Sequence, residues 1–258
     1  NDTYAPVRAW LARGGDRRPA PGGRLHRLPP ESGGRWAALP PAADRTRSLH
    51  AWAGALLERR GVVTREAANA EALRGGFSAL YPVFREMEER GRTRRGYFVE
   101  GLGGAQFALA GAVERLRAER APAERPRALL LAAVDPAQPY GEVLPWPVTG
   151  DGANRRSPAR AAGSFVILVE GAPVLLLERW GKSVVRLGTL SDEADGALAA
   201  ALDALAAAAP ALAPRGLTIE RIDGGPAAES PLAAALTARG FAAGYRGLVY
   251  RPGARRDA

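Results

Sequence analysis

The sequence contains no cysteine, only two histidines (His26 and His50), one methionine and one lysine, Lys182. The missing cysteine excludes a disulfide framework and thiolate chemistry, and with two isolated histidines the usual His/Cys zinc sites are excluded as well. A cysteine-free chain fits a reducing, cytoplasmic setting. Nowhere does an uninterrupted apolar run approach the roughly 18–20 residues of a membrane span, and the start Asn1-Asp2-Thr3-Tyr4 lacks a signal peptide's charge and apolar stretch, so no membrane partner is expected. The first residue is not Met, which reads as a fragment of a longer protein.

What is present is the composition of a folding chain, 47% hydrophobic and 24% charged over 258 residues. That length suits one large domain or two modules. The net charge of +9 is distributed unevenly: residues 1–127 hold 23 basic and 14 acidic side chains, and residues 128–258 hold 13 of each. A polyanionic partner would use the first half, although an almost lysine-free, arginine-rich chain also reflects codon bias.

Periodicity divides the chain into four parts. Residues 1–34 read as the end of a preceding helical unit, with Val7, Trp10 and Leu11 at helical spacing, followed by the Gly/Pro/Arg-rich loop 14–34. Residues 35–120 read as a winged helix-turn-helix. A short strand, Arg35–Leu39, precedes a helix over 45–60 opened by Asp44 and stopped by Gly61. A second short helix is capped by Thr64 and reaches about Leu73. A third runs from Phe77 to Gly91 with Pro82 in its first turn, and Arg92–Val99 forms a hairpin with Ala105–Ala108 across Gly101–Gly104. A helix over Leu109–Arg120, with Val113 and Leu116 on one face, ends this part.

Residues 127–251 read as a small antiparallel β-barrel or sheet with appended helices, and 252–258 as a tail. Its strands are the run Ala128–Val134, then Ser164–Glu170, Pro173–Arg179 and Ser183–Leu187, with later strands Arg215–Ile222 and Gly244–Arg251. Its helices are 193–209, ended by Pro210, and one capped by Ser230-Pro231 through Arg239. The fold class is therefore α+β.

Gly181-Lys182-Ser183 is not a phosphate-binding loop, because the required glycine at position 176 is Leu176. Among functional candidates the basic series Arg85, Arg90, Arg92, Arg94 and Arg95 stands out, spanning the third helix and the first wing strand, where guanidinium groups can bind phosphates. The bland explanation is a solvated helix end, since Glu86, Glu88 and Glu89 intervene. Tyr97, alternating with Phe98, could face outward and stack on a base. Trp36, Trp52, Tyr81 and Phe84 read as core. Glu100, Asp135 and Glu142 lie beside turns, where a carboxylate could assist bond cleavage or simply cap the turn.

Several strings carry a family resemblance. They are Arg59–Glu66, Gly75-Gly76-Phe77, Arg94–Phe107, Asp135–Gly141 and Leu144-Pro145-Trp146-Pro147, and they resemble the C-terminal region of the bacterial large helicase-related proteins, Lhr. The resemblance implies a DNA-repair protein whose N-terminal motor, absent here, uses ATP and Mg to move 3′ to 5′ on single-stranded DNA and to unwind duplexes and RNA:DNA hybrids. This region would then hold no cofactor of its own and would sit in the nucleoid as a tail of winged-helix units closed by a β-barrel-like module, similar to AlkZ-type DNA glycosylases. Its partners would be DNA (single-stranded, duplex or RNA:DNA hybrid), the upstream domains of the same chain, and other copies of itself. Some family members are associated with uracil-DNA glycosylase activity. The AlkZ-type Gln-x-Gln signature is incomplete, because Gln106-Phe107-Ala108 supplies only its first residue. Three functions follow: a non-motor DNA-binding and assembly region, a glycosylase in which Asp135 and Glu100 are the first residues to test, or a self-association module alone.

Overall fold

The computed structural model describes residues 44–119, 126–147, 158–188 and 196–251. The expected helix end near Val7–Leu11, the 14–34 loop with His26, the Arg35–Leu39 strand with Trp36, and the 252–258 tail all lie outside the described residues.

Helix α1, Arg45–Arg60, is capped by Asp44, whose Oδ1 accepts the Arg47 N–H at 2.9 Å, and it turns Ala53, Leu56 and Leu57 inward. Gly61, at φ +69°, ends it. After strand β1, Val62–Val63, Thr64 accepts the Ala67 N–H at 3.2 Å and caps α2, Arg65–Ala70. This helix stops three residues short of Leu73, because Ala72 already has positive φ and Gly75 and Gly76 continue the left-handed turn. Helix α3, Gly76–Glu89, buries Phe77, Leu80, Phe84 and Met87. Pro82 is not in its first turn as expected: the helix starts at Gly76, so Pro82 lies one turn deeper and deprives the Ser78 carbonyl of its helical donor. The helix tolerates this because Ser78 and Pro82 are on the exposed side.

Strands β2 (Arg94–Gly96) and β3 (Gln106–Ala108) form the wing, and β3 lies between β1 and β2, with Val62 and Arg94 both opposite Ala108. The Phe107 ring stacks on Phe84 at 5.1 Å and meets Tyr81 edge-on, so the wing and α3 share one core with α1. Trp52 and Tyr81 pack partly buried against it. Helix α4, Ala110–Ala118, buries Val113 but leaves Leu116 exposed, against the expected two-residue apolar face.

Beyond it, β4 (Ala128–Ala132), β5 (Phe165–Val169), β6 (Ala172–Glu178) and β7 (Ser183–Arg186) form an antiparallel meander. The anticipated strand Arg215–Ile222 is divided at Glu220, because the Glu220 and Arg221 N–H groups both donate to the Lys182 carbonyl and turn the chain. Its halves enter different sheets. Strand β9 (Arg221–Ile222) joins β7 in parallel and is followed by β10 (Gly225–Pro226); β8 (Leu217–Ile219) pairs with β12 (Gly247–Tyr250), which forms a hairpin with β11 (Phe241–Gly244). The sheet orders are β10-β9-β7-β6-β5-β4 and β11-β12-β8. Neither closes on itself among the described residues, so the second half is an arrangement of open sheets and the barrel alternative is corrected.

Helix α5, Gly196–Leu212, runs past Pro210 rather than ending there. After a 3-10 turn at Ala227–Glu229, the Ser230 hydroxyl accepts the Leu232 N–H, and α6 occupies Ala233–Ala238. Alternation along β5 and β6 explains two cores. Ile167, Val169, Leu175 and Leu177 face Leu198, Leu202 and Leu205 of α5, whereas Val166, Leu168 and Leu176 face Tyr140 and Trp146. A strand buried on both faces reads as the continuous apolar run seen in Phe165–Val169.

Candidate nucleic-acid interface

The outward side of α3 carries Ser78, Pro82, Arg85, Glu86, Glu89 and Arg90. Its arginines are mostly neutralised on the helix itself: Arg85 pairs with Glu89 at 3.1 Å and Arg90 with Glu86 at 2.7 Å. Arg95 folds back on the helix too, 3.5 Å from Glu88 and 3.4 Å from the Tyr81 hydroxyl. Exposed pairs of this kind are worth little to stability, about 0–1 kcal/mol, and an incoming phosphate can compete for them.

Arg92 and Arg94 differ. Both are exposed, and neither has an ion-pair partner among the described residues. Their placement follows from the joint between α3 and the wing. Gly91 takes φ +71°, the Arg92 N–H donates to the Met87 carbonyl at 2.8 Å, and the buried Thr93 hydroxyl donates to the Phe84 carbonyl at 3.4 Å. With Thr93 anchored inward, its neighbours on both sides point outward.

The wing tip carries Tyr97, 87% exposed, and the exposed Glu100. Its shape is imposed by Gln106, a residue whose structural weight composition and spacing did not reveal. The fully buried Gln106 side chain accepts the Phe98 and Val99 N–H groups, each at 2.8 Å, and donates to the Val99 and Leu102 carbonyls, each at 3.0 Å. All four of its hydrogen-bonding positions are thus occupied by wing backbone.

A second glutamine plays the same part in the loop after β4. Gln138, also fully buried, donates to the carbonyls of Ala133 and Tyr140 and accepts the Tyr140 N–H. Asp135 lies in this loop; its Oδ1 accepts the Ala137 N–H at 2.8 Å, the turn-forming geometry of an aspartate. Arg160, another residue without a sequence signal, crosses the loop and donates to the carbonyls of Ala133, Asp135 and Gln138 while pairing with Glu142. Glu142 also lies 3.9 Å from Arg60 at the end of α1, and Glu71 receives Arg59 and Arg60 at 2.9 and 3.4 Å. An ionic chain therefore runs from the winged helix into the β-rich half. Glu100 stands in the wing and Asp135 in this loop, with no hydrogen bond or ion pair between them.

Burial raises the Tyr140 phenol above its ordinary value, and its hydroxyl donates to the Gly171 carbonyl at 3.0 Å. The exposed His50 stands alone; among the described residues no cluster of His, Cys, Asp and Glu could hold a metal ion, and no helix is long and apolar enough to cross a membrane.

Three helices, a three-stranded β1-β3-β2 sheet and a hairpin following the third helix define a winged helix-turn-helix domain. Residues 42–128 match the family model of the large helicase-related protein winged-helix domain, and this part of the chain is an Lhr winged-helix domain. Homology extends over most of the chain. It is 43% identical over 246 residues to "Lhr helicase/ probable uracil glycosylase" of Mycolicibacterium smegmatis, an alignment covering 86% of this chain and 16% of the relative. To "Lhr helicase/uracil glycosylase" of Escherichia coli strain K12 it is 40% identical over 161 residues, covering 60% of this chain and 10% of the relative. The sequence thus corresponds to a small region of those much longer proteins.

Proposed function

We propose that this region is a non-motor nucleic-acid-binding and assembly part of an Lhr-type protein, with a winged-helix unit over 35–120 and a β-rich module over 127–251. In this reading ATP and Mg chemistry belong to a helicase motor elsewhere in the protein, which works in DNA repair at the bacterial nucleoid. The observation that carries the reading is the pair Arg92 and Arg94, exposed and without acidic partners among the described residues, at the joint between α3 and the wing. In helix-turn-helix proteins the recognition helix enters the major groove, and arginines on its flanks fix its register by binding phosphates. Arg85, Arg90 and Arg95 serve as secondary phosphate ligands, released from Glu89, Glu86 and Glu88 when phosphates approach, and Tyr97 stacks at the wing edge.

The test is fluorescence anisotropy with single-stranded, duplex and RNA:DNA hybrid probes over a salt series. Removing one phosphate-binding arginine should lower the log–log salt slope by about 0.7–0.9, so Arg92→Ala with Arg94→Ala should lower it by about 1.4–1.8. An unchanged slope refutes the assignment.

The names of both relatives support a second reading, base excision within this region. Asp135 and Glu100 are the carboxylates to test, and Glu100 has the freer carboxylate because Asp135 already accepts the Ala137 N–H. Loss of uracil release in Glu100→Gln or Asp135→Asn with DNA affinity intact supports it; unchanged release in both removes them from the chemistry. Light scattering with and without DNA tests assembly.

A further inference from the structure

The β-rich half has no excess charge, and its two exposed aromatics among the described residues, each next to an exposed arginine, stand on turns that meet at one place. Trp180 is 64% exposed and Tyr245 fully exposed, each on a turn between two strands. Both turns pack at the Glu220 break between β8 and β9. Lys182 accepts the Glu220 and Arg221 N–H groups through its carbonyl and places its ammonium 3.6 Å from Glu220, while Gly181 touches Leu217. Gly247, immediately after the Tyr245-Arg246 turn, lies flush against the backbone of Ile219 and Glu220.

Trp180 is held out rather than left loose. Arg179 and Trp180 adopt left-handed backbone, φ +50° and +60°, which is unfavourable for any residue but glycine. Its ring is fixed by an edge-on contact with Phe165 at 6.0 Å and by the bare backbone of Gly163, where a Cβ would come within 2.8 Å of Nε1. The Trp180 N–H donates to the Gly163 carbonyl at 2.7 Å. A rigid exposed ring costs little further ordering when something stacks on it.

We propose that Trp180 and Tyr245 are stacking platforms for the bases of a single-stranded nucleic acid, with Arg179 and Arg246 holding the flanking phosphates. The inference rests on the nucleic-acid reading of this region and places a second binding surface outside the winged helix. Its warrant over a protein partner is the immediate surroundings: each ring stands beside an exposed arginine, Arg179 and Arg246, with no ion pair among the described residues, rather than within an apolar patch. Aromatics interleaved with cations are the arrangement that binds unpaired bases without sequence preference, and a base inside a duplex cannot reach such platforms.

The experiment compares labelled oligothymidylate with a blunt duplex, using the whole 258-residue chain. Trp180→Ala and Tyr245→Ala should each weaken oligothymidylate binding on the order of 10-fold and leave duplex affinity unchanged, while Trp180→Phe retains most of the binding. Arg179→Ala should lower the salt slope on single strands by about 0.7. Thermal unfolding checks that each variant is folded, and Trp180→Phe with Arg179→Ala preserves the test if Trp180→Ala is not. Unchanged single-strand affinity in Trp180→Ala with Tyr245→Ala overturns the inference. So does a change in self-association without a change in affinity, which would mark a protein-docking surface. Comparison with Arg92→Glu/Arg94→Glu keeps the two readings apart. If only the wing variants weaken binding, the platform fails and the winged helix stands; if only the platform variants weaken single-strand binding, the reverse holds.

Discussion

Replacing Gln106 by alanine should loosen the wing while leaving the core of the winged helix largely in place. The wild-type amide makes four hydrogen bonds to the backbone of Phe98, Val99 and Leu102. At a net of about 0.5–1.5 kcal/mol each, they sum to about 2–6 kcal/mol. The lower half of that range applies to global unfolding, because the half-buried wing residues regain water once the loop opens. Urea unfolding should therefore show a destabilisation of about 2–4 kcal/mol. Amide exchange should report it locally, with Phe98 and Val99 N–H groups losing protection before the helices do. Gln106→Glu sharpens the test, since a carboxylate still accepts those two N–H groups but opposes the Val99 and Leu102 carbonyls. If Phe98 and Val99 exchange at wild-type rates in Gln106→Ala, Gln106 does not organise the wing.

Arg160→Lys should cost about 2–3 kcal/mol in chemical denaturation, because an ammonium cannot reproduce the fork that spans Ala133, Asp135 and Gln138 while pairing with Glu142. Arg60→Ala should cost only about 1 kcal/mol, since Glu71 keeps Arg59 and Glu142 keeps Arg160. Pro82→Ala should raise the melting temperature, worth about 1 kcal/mol or more, by restoring an N–H to α3; no gain would mean the Ser78 carbonyl is satisfied otherwise. Tyr140 titrates above its ordinary value of 10.0, so its contribution is complete below pH 10 and lost as pH rises through the folded-state pKa; the unfolded chain gives up the proton first. Tyr140→Phe should flatten that alkaline decline, at a cost of about 1 kcal/mol at neutral pH for the bond to Gly171.

The helical part was legible because its signals are local. Asp44 and Thr64 cap the helices they precede, Gly61 terminates α1, and the apolar spacing from Phe77 to Met87 gives the buried side of α3. The β meander was legible too, since strands buried on both faces read as apolar runs between turns. What was not legible depends on contacts distant in sequence. A single residue, Lys182, breaks the expected Arg215–Ile222 strand through its carbonyl, and no local pattern at Glu220 announces it. The basic series was legible in part: Glu86, Glu88 and Glu89 stand among the five arginines in the sequence, and helical spacing puts Glu86 and Glu89 within reach of Arg90 and Arg85, but only the structure leaves Arg92 and Arg94 as the unpaired cations of the series among the described residues. Buried glutamines and a crossing arginine are equally silent in sequence, because their role is defined by backbone groups rather than by neighbours of a particular type.

The parallel pairing of β9 with β7 imposes an order on how the β-rich half is made. Strands β5, β6 and β7 are joined by tight turns and can zip together early, but the Ser183–Arg221 register is reached only across the whole of α5 and β8. Loop-closure entropy opposes that pairing until α5 has packed on the sheet. During synthesis the meander emerges first and waits with its α5-facing side uncovered, so the completion of this half is set by the arrival of its last fifty or so residues rather than by the strands that form most of it.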